Sequence, residues 1–330
     1  MPHVPGIPTT VLVAPDSFKG TLSAAAVAQA IGRGLEAAGR PVDLCPVADG
    51  GEGTLEALLP AVEGELRTAT VSDPLGRPVD ASFGLGDGVA VVEMAAASGL
   101  GLVAPGERDA IAASTSGTGE LIVAAVQAGA RTVYLGVGGS ATTDGGAGAV
   151  KAIRESGGLG KAQIVVLCDV RTPFEQAARV FAPQKGADSD AVTRLTKRLN
   201  DQARRLRRDP RGVPMTGAAG GLSGGLWAEF DAELVPGAQF VLDAVEFDRR
   251  MRAARAVVTG EGKLDQQSLA GKLVSEISTR ARQAGVPCHA IVGTRELDSF
   301  GVRVLDLQAV LEATTPRQIT AAARRLANLL

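Results

Sequence analysis

Histidine is nearly absent from this chain: among 330 residues only His3 and His289 occur. That shortage argues against a Ser-His-Asp triad and against a His-ligated zinc centre, so proton transfer falls to carboxylates, lysines or a metal-bound group. His3 lies in an N-terminal stretch expected to fray, and His289 sits inside the apolar run "CHAIV", where a packed core position is expected. Aromatic residues make up 3% of the chain, with one Trp and one Tyr, which leaves little for stacking nucleic-acid bases. Formal net charge is -2 with both signs interspersed, so no whole-protein field draws in nucleic acid or an anionic membrane, and neither partner is expected. The one local exception, "RRLRRDPR" at 204–211, reads as the solvated end of a helix that begins near Ala191 and stops at Pro210.

Three cysteines, Cys45, Cys168 and Cys288, fall in predicted strands without CxxC spacing and read as buried thiols of a reducing compartment. No stretch approaches the ~18 uninterrupted apolar residues of a membrane span, and "MPHVPGIPTT" lacks a basic start before an apolar core. A cytoplasmic location is expected.

What is present is an alternation of strands and helices. "TTVLVAP" (9–15) is β-rich, and "SAAAVAQAIGRGLEAAG" (23–39) carries Val27, Ile31 and Leu35 at helical spacing. A strand "PVDLCPV" and a helix "TLEALLPAV" come next, which makes βαβα, the pattern of a parallel sheet covered by helices. The pattern returns near the C-terminus with strand "AVVT", helix 268–285, strand "CHAIVG", a short strand "VRVLDL" (302–307) and helix 316–330. The two ends read as parts of one sheet. Between them, short alternating stretches such as 65–95, broken by Pro and Gly, read as hairpins of a second, inserted domain. The expected division is 1–66 with 250–330 around an insert of 67–249.

The segment "GVGGSATTDGGAGA" (136–149) places six glycines and one aspartate between an apolar strand and an apolar helix. In that context glycine permits close backbone approach, and the free N–H groups opening the helix favour negative charge. A second glycine loop, "STSGTGE" (114–120), offers Ser114 and further hydroxyls before another helix, while "TGAAGGLSGG" (216–225) reads equally as a ligand loop or as close packing. Acids and lysines also recur where predicted strands end: Asp16, Ser17 and Lys19; Asp49 and Glu52; Asp169; Glu261, Lys263 and Asp265. In open α/β sheets those ends face the ligand crevice. Phosphoryl transfer fits this inventory, since it needs donors for phosphate oxygens, lysines to neutralise charge, carboxylates for Mg²⁺ and an acid to take a hydroxyl proton. No Gly-Lys pair is followed by Ser or Thr, so a Walker A loop is absent; "GVGGSA" satisfies GxGxxA and keeps a nucleotide-dependent dehydrogenase as an alternative.

Nine segments, among them "VLVAPDSFKGTLSA", "PVADGGEGT", "GVGGSATTDGGAGA", "FAPQKGA" and "VVTGEGKLDQQSLAGK", occur in an order that resembles the two-domain bacterial glycerate kinases, over about residues 11–293. The resemblance implies a Rossmann-like or flavodoxin-like parallel sheet domain with a second α/β domain inserted and an active site in the cleft between them. It implies ATP- and Mg²⁺-dependent phosphorylation of D-glycerate, usually at the 2-hydroxyl, and decides the glycine loop as an anion cradle. It carries over Asp16, Ser17, Lys19, Asp49, Glu52, Asp144, Asp169, Lys185, Glu261, Asp265 and Lys272 as cleft residues. Within this set, chemistry assigns Asp169 and Glu261 to the metal and Asp16 or Asp265 to the proton, both kept ionised by Lys19 and Lys263. Lys19 and Asp169 complete the catalytic group with Asp16 and Asp265; Ser17, Asp49, Glu52, Ser114, Gly138, Gly139, Ser140, Asp144, Lys185 and Lys272 are assigned to substrate and phosphate. A homodimer is left open.

Three departures accompany the resemblance. Thr143 and Thr172 stand where the family often has Asn, and the segment from Ile153 to Ile164 is short enough that much of a loop and strand is expected to be missing. A catalytically degraded or regulatory relative that binds a small sugar acid or nucleotide without phosphoryl transfer is the alternative this shortening raises.

Overall fold

The computed structural model describes residues 9–269 and 272–330; His3 lies outside them. Thirteen strands occur among these residues: β1 (Val11–Pro15), β2 (Val42–Leu44), β3 (Glu65–Ser72), β4 (Pro78–Gly86), β5 (Val89–Glu93), β6 (Thr132–Gly136), β7 (Gln163–Leu167), β8 (Glu233–Val235), β9 (Ala256–Gly260), β10 (Lys263–Leu264), β11 (Cys288–Val292), β12 (Thr294–Arg295) and β13 (Leu307–Glu312). The chain divides into two compact units, one running to Asp49 and resuming from Ala238 to Leu330, the other Gly50–Gly237. These borders fall earlier than the expected ones. The short helix Thr54–Leu58 belongs with the inserted unit because the Leu55 N–H donates to Glu93 Oε1 at 2.8 Å, at the end of β5.

In the outer unit the strands β13-β11-β9-β1-β2 form one wholly parallel sheet. Numbered within the unit, that order is 2-1-3-4-5, the flavodoxin-like winding, whose direction reverses between β1 and β9. β1, β9 and β11 are buried at every residue, as strands covered on both faces must be, which is why they read as continuous apolar runs. Helix Ala24–Glu36 starts where Ser23 Oγ accepts the Ala26 N–H, and it buries Val27, Ile31 and Leu35 along one stripe. Each such aliphatic side chain contributes roughly 1.5–3 kcal/mol of burial. The stripe joins Val11, Val13 and Val258 from the sheet and Ile319 and Leu326 from helix Pro316–Leu326 in one core. His289 is buried inside β11, and burial lowers its pKa.

Two sequence expectations fail here. Residues 302–306 are not a strand: Asp298 Oδ1 accepts the Gly301 N–H and caps helix Ser299–Val304, and the strand β13 begins only at Leu307, after Asp306 turns at φ 54°. The helix expected from residue 268 begins at Leu273, preceded by a 3₁₀ turn over Gln266–Leu269.

In the inserted unit the order is β3-β4-β5-β6-β7-β8, antiparallel through β3-β4-β5 and parallel from β5 to β8. Across the shortened segment no strand lies, among the described residues, between the end of helix Ala147–Glu155 and β7, and β7 itself pairs with both β6 and β8. Helix Ala147–Glu155 ends in a tight turn in which Gly157, Gly158 and Gly160 all take positive φ. The run 204–211 continues from helix Ser189–Ala203 in turns, where Arg207 and Arg208 pair with Asp231, Arg211 pairs with Asp209, and Arg208 lies 3.8 Å from the Trp227 ring centroid. All three cysteines are buried free thiols. Among the described residues no helix is long and apolar enough to cross a membrane.

Candidate active site

At the reversal between β1 and β9, the two strand ends are tied together by the Asp16 N–H donating to Gly260 O at 2.8 Å. Beyond it each strand delivers a carboxylate, Asp16 from β1 and Glu261 from β9, into a cavity of about 360 Å³. After Asp16 the chain makes a tight turn, with Phe18 and Leu22 bridged and Gly20 at φ 76°, which lifts Lys19 to the tip. Lys19 Nζ lies 3.3 Å from Asp49 Oδ2, and this carboxylate raises the lysine pKa. Ser17 is 3% exposed and its Oγ has no hydrogen-bond partner among the described residues.

The charge state of Asp16 reverses the sequence expectation. Burial pushes it up to about 8, the neighbouring Asp49 adds to the rise, and Lys19 opposes it without prevailing. Its Oδ1 accepts the Ser17 N–H at 2.6 Å. Glu261 is likewise raised by burial, to about 7, although the Ser268 hydroxyl donates to its Oε1 at 2.6 Å. Two carboxyls that titrate near neutrality in one cavity suit proton exchange or a cation better than a structural ion pair does. Asp265 accepts the Gln267 N–H at 2.8 Å; Lys263, expected to hold it, lies 3.8 Å from it and closer, at 3.0 Å, to Glu296. Lys272 stands at the N-cap position of helix Leu273–Ala284, and its Nζ donates to Gln267 Oε1 at 2.8 Å.

Seven of the expected residues thus line one cavity: Asp16, Ser17, Lys19, Asp49, Glu261, Asp265 and Lys272. Sequence reasoning missed Ser268, Thr294 and Thr314, which also line it. The rule that found the acids, inspection of the residues just beyond each parallel strand, would have found Thr294 after β11 and Thr314 after β13.

The other expected residues belong to the inserted unit. Glu52 is exposed, and Asp169 is half-buried beyond the end of β7. The glycine loop 137–146 holds an anion of its own. Asp144 Oδ2 accepts the Thr115 and Gly148 N–H groups and the Thr115 hydroxyl at 2.8–3.1 Å, and Oδ1 accepts the Gly146 N–H at 3.1 Å. The N-terminal ends of helices Ser116–Gln127 and Ala147–Glu155 are therefore capped by the protein's carboxylate. Ser114 Oγ bonds within its own turn to Ser116. Gly138 and Gly139 carry the loop on to Ser140, which accepts from Lys185 Nζ at 2.8 Å; that ammonium also donates to Thr142 O at 2.5 Å. Lys185 is 1% exposed, and burial lowers its pKa to about 7. The "GAAGGL" segment is close packing: a Cβ on Gly220, already at φ 65°, would lie 2.1 Å from Thr142 O.

The sequence model described as "Glycerate kinase family" matches residues 11–156 and 154–330, the two matches meeting at the end of helix Ala147–Glu155. A glycerate kinase of Halalkalibacterium halodurans is 39% identical, with 86% of this chain and 85% of that protein covered. The glycerate 2-kinase of Escherichia coli is 38% identical, with 92% and 90% covered. A crystal structure titled as a putative glycerate kinase 2 from Salmonella typhimurium superposes with a TM-score of 0.82 at 34% identity, covering 98% of each chain.

Proposed function

Because the chain belongs to the glycerate kinase family, we propose that it transfers the γ-phosphoryl group of ATP to a hydroxyl of D-glycerate, giving 2-phosphoglycerate. The observation that carries this reading is the cavity at the β1/β9 reversal, where Lys19, Lys263 and Lys272 meet the acids Asp16, Asp49, Glu261 and Asp265 and the buried Ser17 hydroxyl, without a histidine. Lys19 and Lys272 neutralise phosphate and carboxylate charge, and Ser17 donates to a substrate oxygen. Asp16 takes the acceptor hydroxyl's proton; a carboxylate with a pKa of about 8 is matched to that work near neutral pH.

The donor set also fits Mg²⁺. Burial raises both Asp16 and Glu261, with Asp49 adding to the rise at Asp16 and Asp265 at Glu261, and a bound cation would offset that cost. Mg²⁺ takes oxygen ligands and usually keeps several waters and substrate phosphates beside one or two carboxylates. Glu261 would hold it. When bound, Mg²⁺ neutralises charge on the β- and γ-phosphates.

The test is ATP consumption with and without D-glycerate, with the product identified by NMR. Glycerate-dependent turnover yielding the 2-phosphate is expected. The 3-phosphate would correct the regiochemistry, and binding without turnover would replace the kinase by a sugar-acid-binding relative.

A further inference from the structure

We propose that Ser268 is a positioning residue, whose hydroxyl locks the Glu261 carboxylate in the orientation the reaction uses. This rests on the kinase reading for what Glu261 does, but the lock itself is a matter of geometry. Ser268 is 1% exposed and lies on the 3₁₀ turn Gln266–Leu269, seven residues beyond Glu261.

A serine hydroxyl has one proton, and a neighbour that can only donate decides where that proton points. The Asp265 N–H is such a neighbour: it donates to Ser268 Oγ at 3.2 Å. The hydroxyl proton is thereby directed to Glu261 Oε1, 2.6 Å away, a charge-assisted bond whenever Glu261 is ionised. Oε1 is committed, and Oε2 is the oxygen without a hydrogen-bond partner among the described residues.

The turn that carries Ser268 is itself fixed. Asp265 Oδ1 accepts the Gln267 N–H at 2.8 Å, and Gln267 Oε1 accepts Lys272 Nζ at 2.8 Å. One hydroxyl therefore links the acid that ends β9 to a short scaffold bearing Asp265 and Lys272. Partners behind a metal-binding carboxylate typically change metal affinity or activity by about 10–100-fold when removed.

The experiment compares Ser268→Ala and Ser268→Thr with the parent by steady-state kinetics and melting temperature, and determines the crystal structure of Ser268→Ala. A ten- to hundredfold loss of kcat with the KM for glycerate unchanged is expected in Ser268→Ala. Ser268→Thr should keep kcat within threefold, and the Ala crystal structure should show the Glu261 carboxylate turned from its original orientation. Retention of kcat within threefold by Ser268→Ala overturns the proposal, as does an unmoved Glu261. Equal losses in both variants with matching falls in melting temperature assign Ser268 to stability alone and also overturn it. A parent without glycerate-dependent turnover defeats the kinase reading instead, and the Glu261 orientation in the Ala crystal still decides this one.

Discussion

In the outer unit the chain leaving β1 carries Asp16, Ser17 and Lys19 to the wall of a cavity; in the inserted unit the chain leaving β6 folds its glycine loop around its own Asp144. Both segments come after a parallel strand, and both combine an acid with nearby glycine. They differ in what satisfies the polar groups. Around Asp144 the donors are two helix N-termini and a threonine hydroxyl, and Arg198 pins the loop by donating to Thr143 O at 2.8 Å. Around Asp16 burial outweighs the donors, and the carboxyl titrates near 8. A glycine-and-acid signature marks a place where backbone N–H groups are concentrated. It does not tell whether a ligand or the protein itself supplies the anion.

Substitution of the two aspartates breaks this comparison most directly. Asp16→Asn copies the shape of the protonated carboxyl but cannot take a proton. It should lower kcat by about 100-fold or more, about 2.7 kcal/mol in barrier, while leaving the melting temperature at pH 7 within about 2 °C. Kinetics and calorimetry on one preparation check both halves. Asp144→Asn should act in the reverse sense. It weakens charge-assisted bonds to two helix N-termini, costs about 2 kcal/mol of stability and lowers the melting temperature by roughly 4–8 °C. A variant that lost activity but not stability would place Asp144 with Asp16.

Lys185 gives a smaller effect, read as a slope. Its pKa is about 7 in the folded protein against 10.5 for an ordinary lysine. Between those values the unfolded chain binds a proton that the folded chain does not, so this residue makes stability rise with pH from about 7 to about 10.5. The rise is at most about 1.4 kcal/mol per pH unit. Denaturant unfolding at pH 8 and 9 should show it in the parent and lose it in Lys185→Met.

The outer sheet was legible because strands buried on both faces carry no polar alternation, as in "VLVAP" and "AVVTG". The 302–307 segment was misread because its apolar residues alternate as well as they recur at helical spacing, and the Asp298 cap that decides between them lies outside the segment. The acids at the cavity could be found from position alone. Their protonation could not, since burial of Asp16 depends on elements far apart in sequence. The filling of the glycine loop was hidden for the same reason: Thr115 meets Asp144 across 29 residues. Ser268, an ordinary turn residue by type, became notable only through its two bonds.

The glycine turn after helix Ala147–Glu155 has a consequence for how this chain tolerates changes in length. A Cβ built on Gly157, Gly158 or Gly160 would meet nothing within 4 Å, and the turn is held by local bonds such as the Gly158 N–H to Ile153 O. β7 takes its register from β6 and β8, so the connector sets no strand position. Lengthening a flexible loop costs only about 0.6 kcal/mol per doubling. The connector is therefore a natural joint at which segments can be spliced in, or the termini relocated by circular permutation, with the six-stranded sheet kept in register.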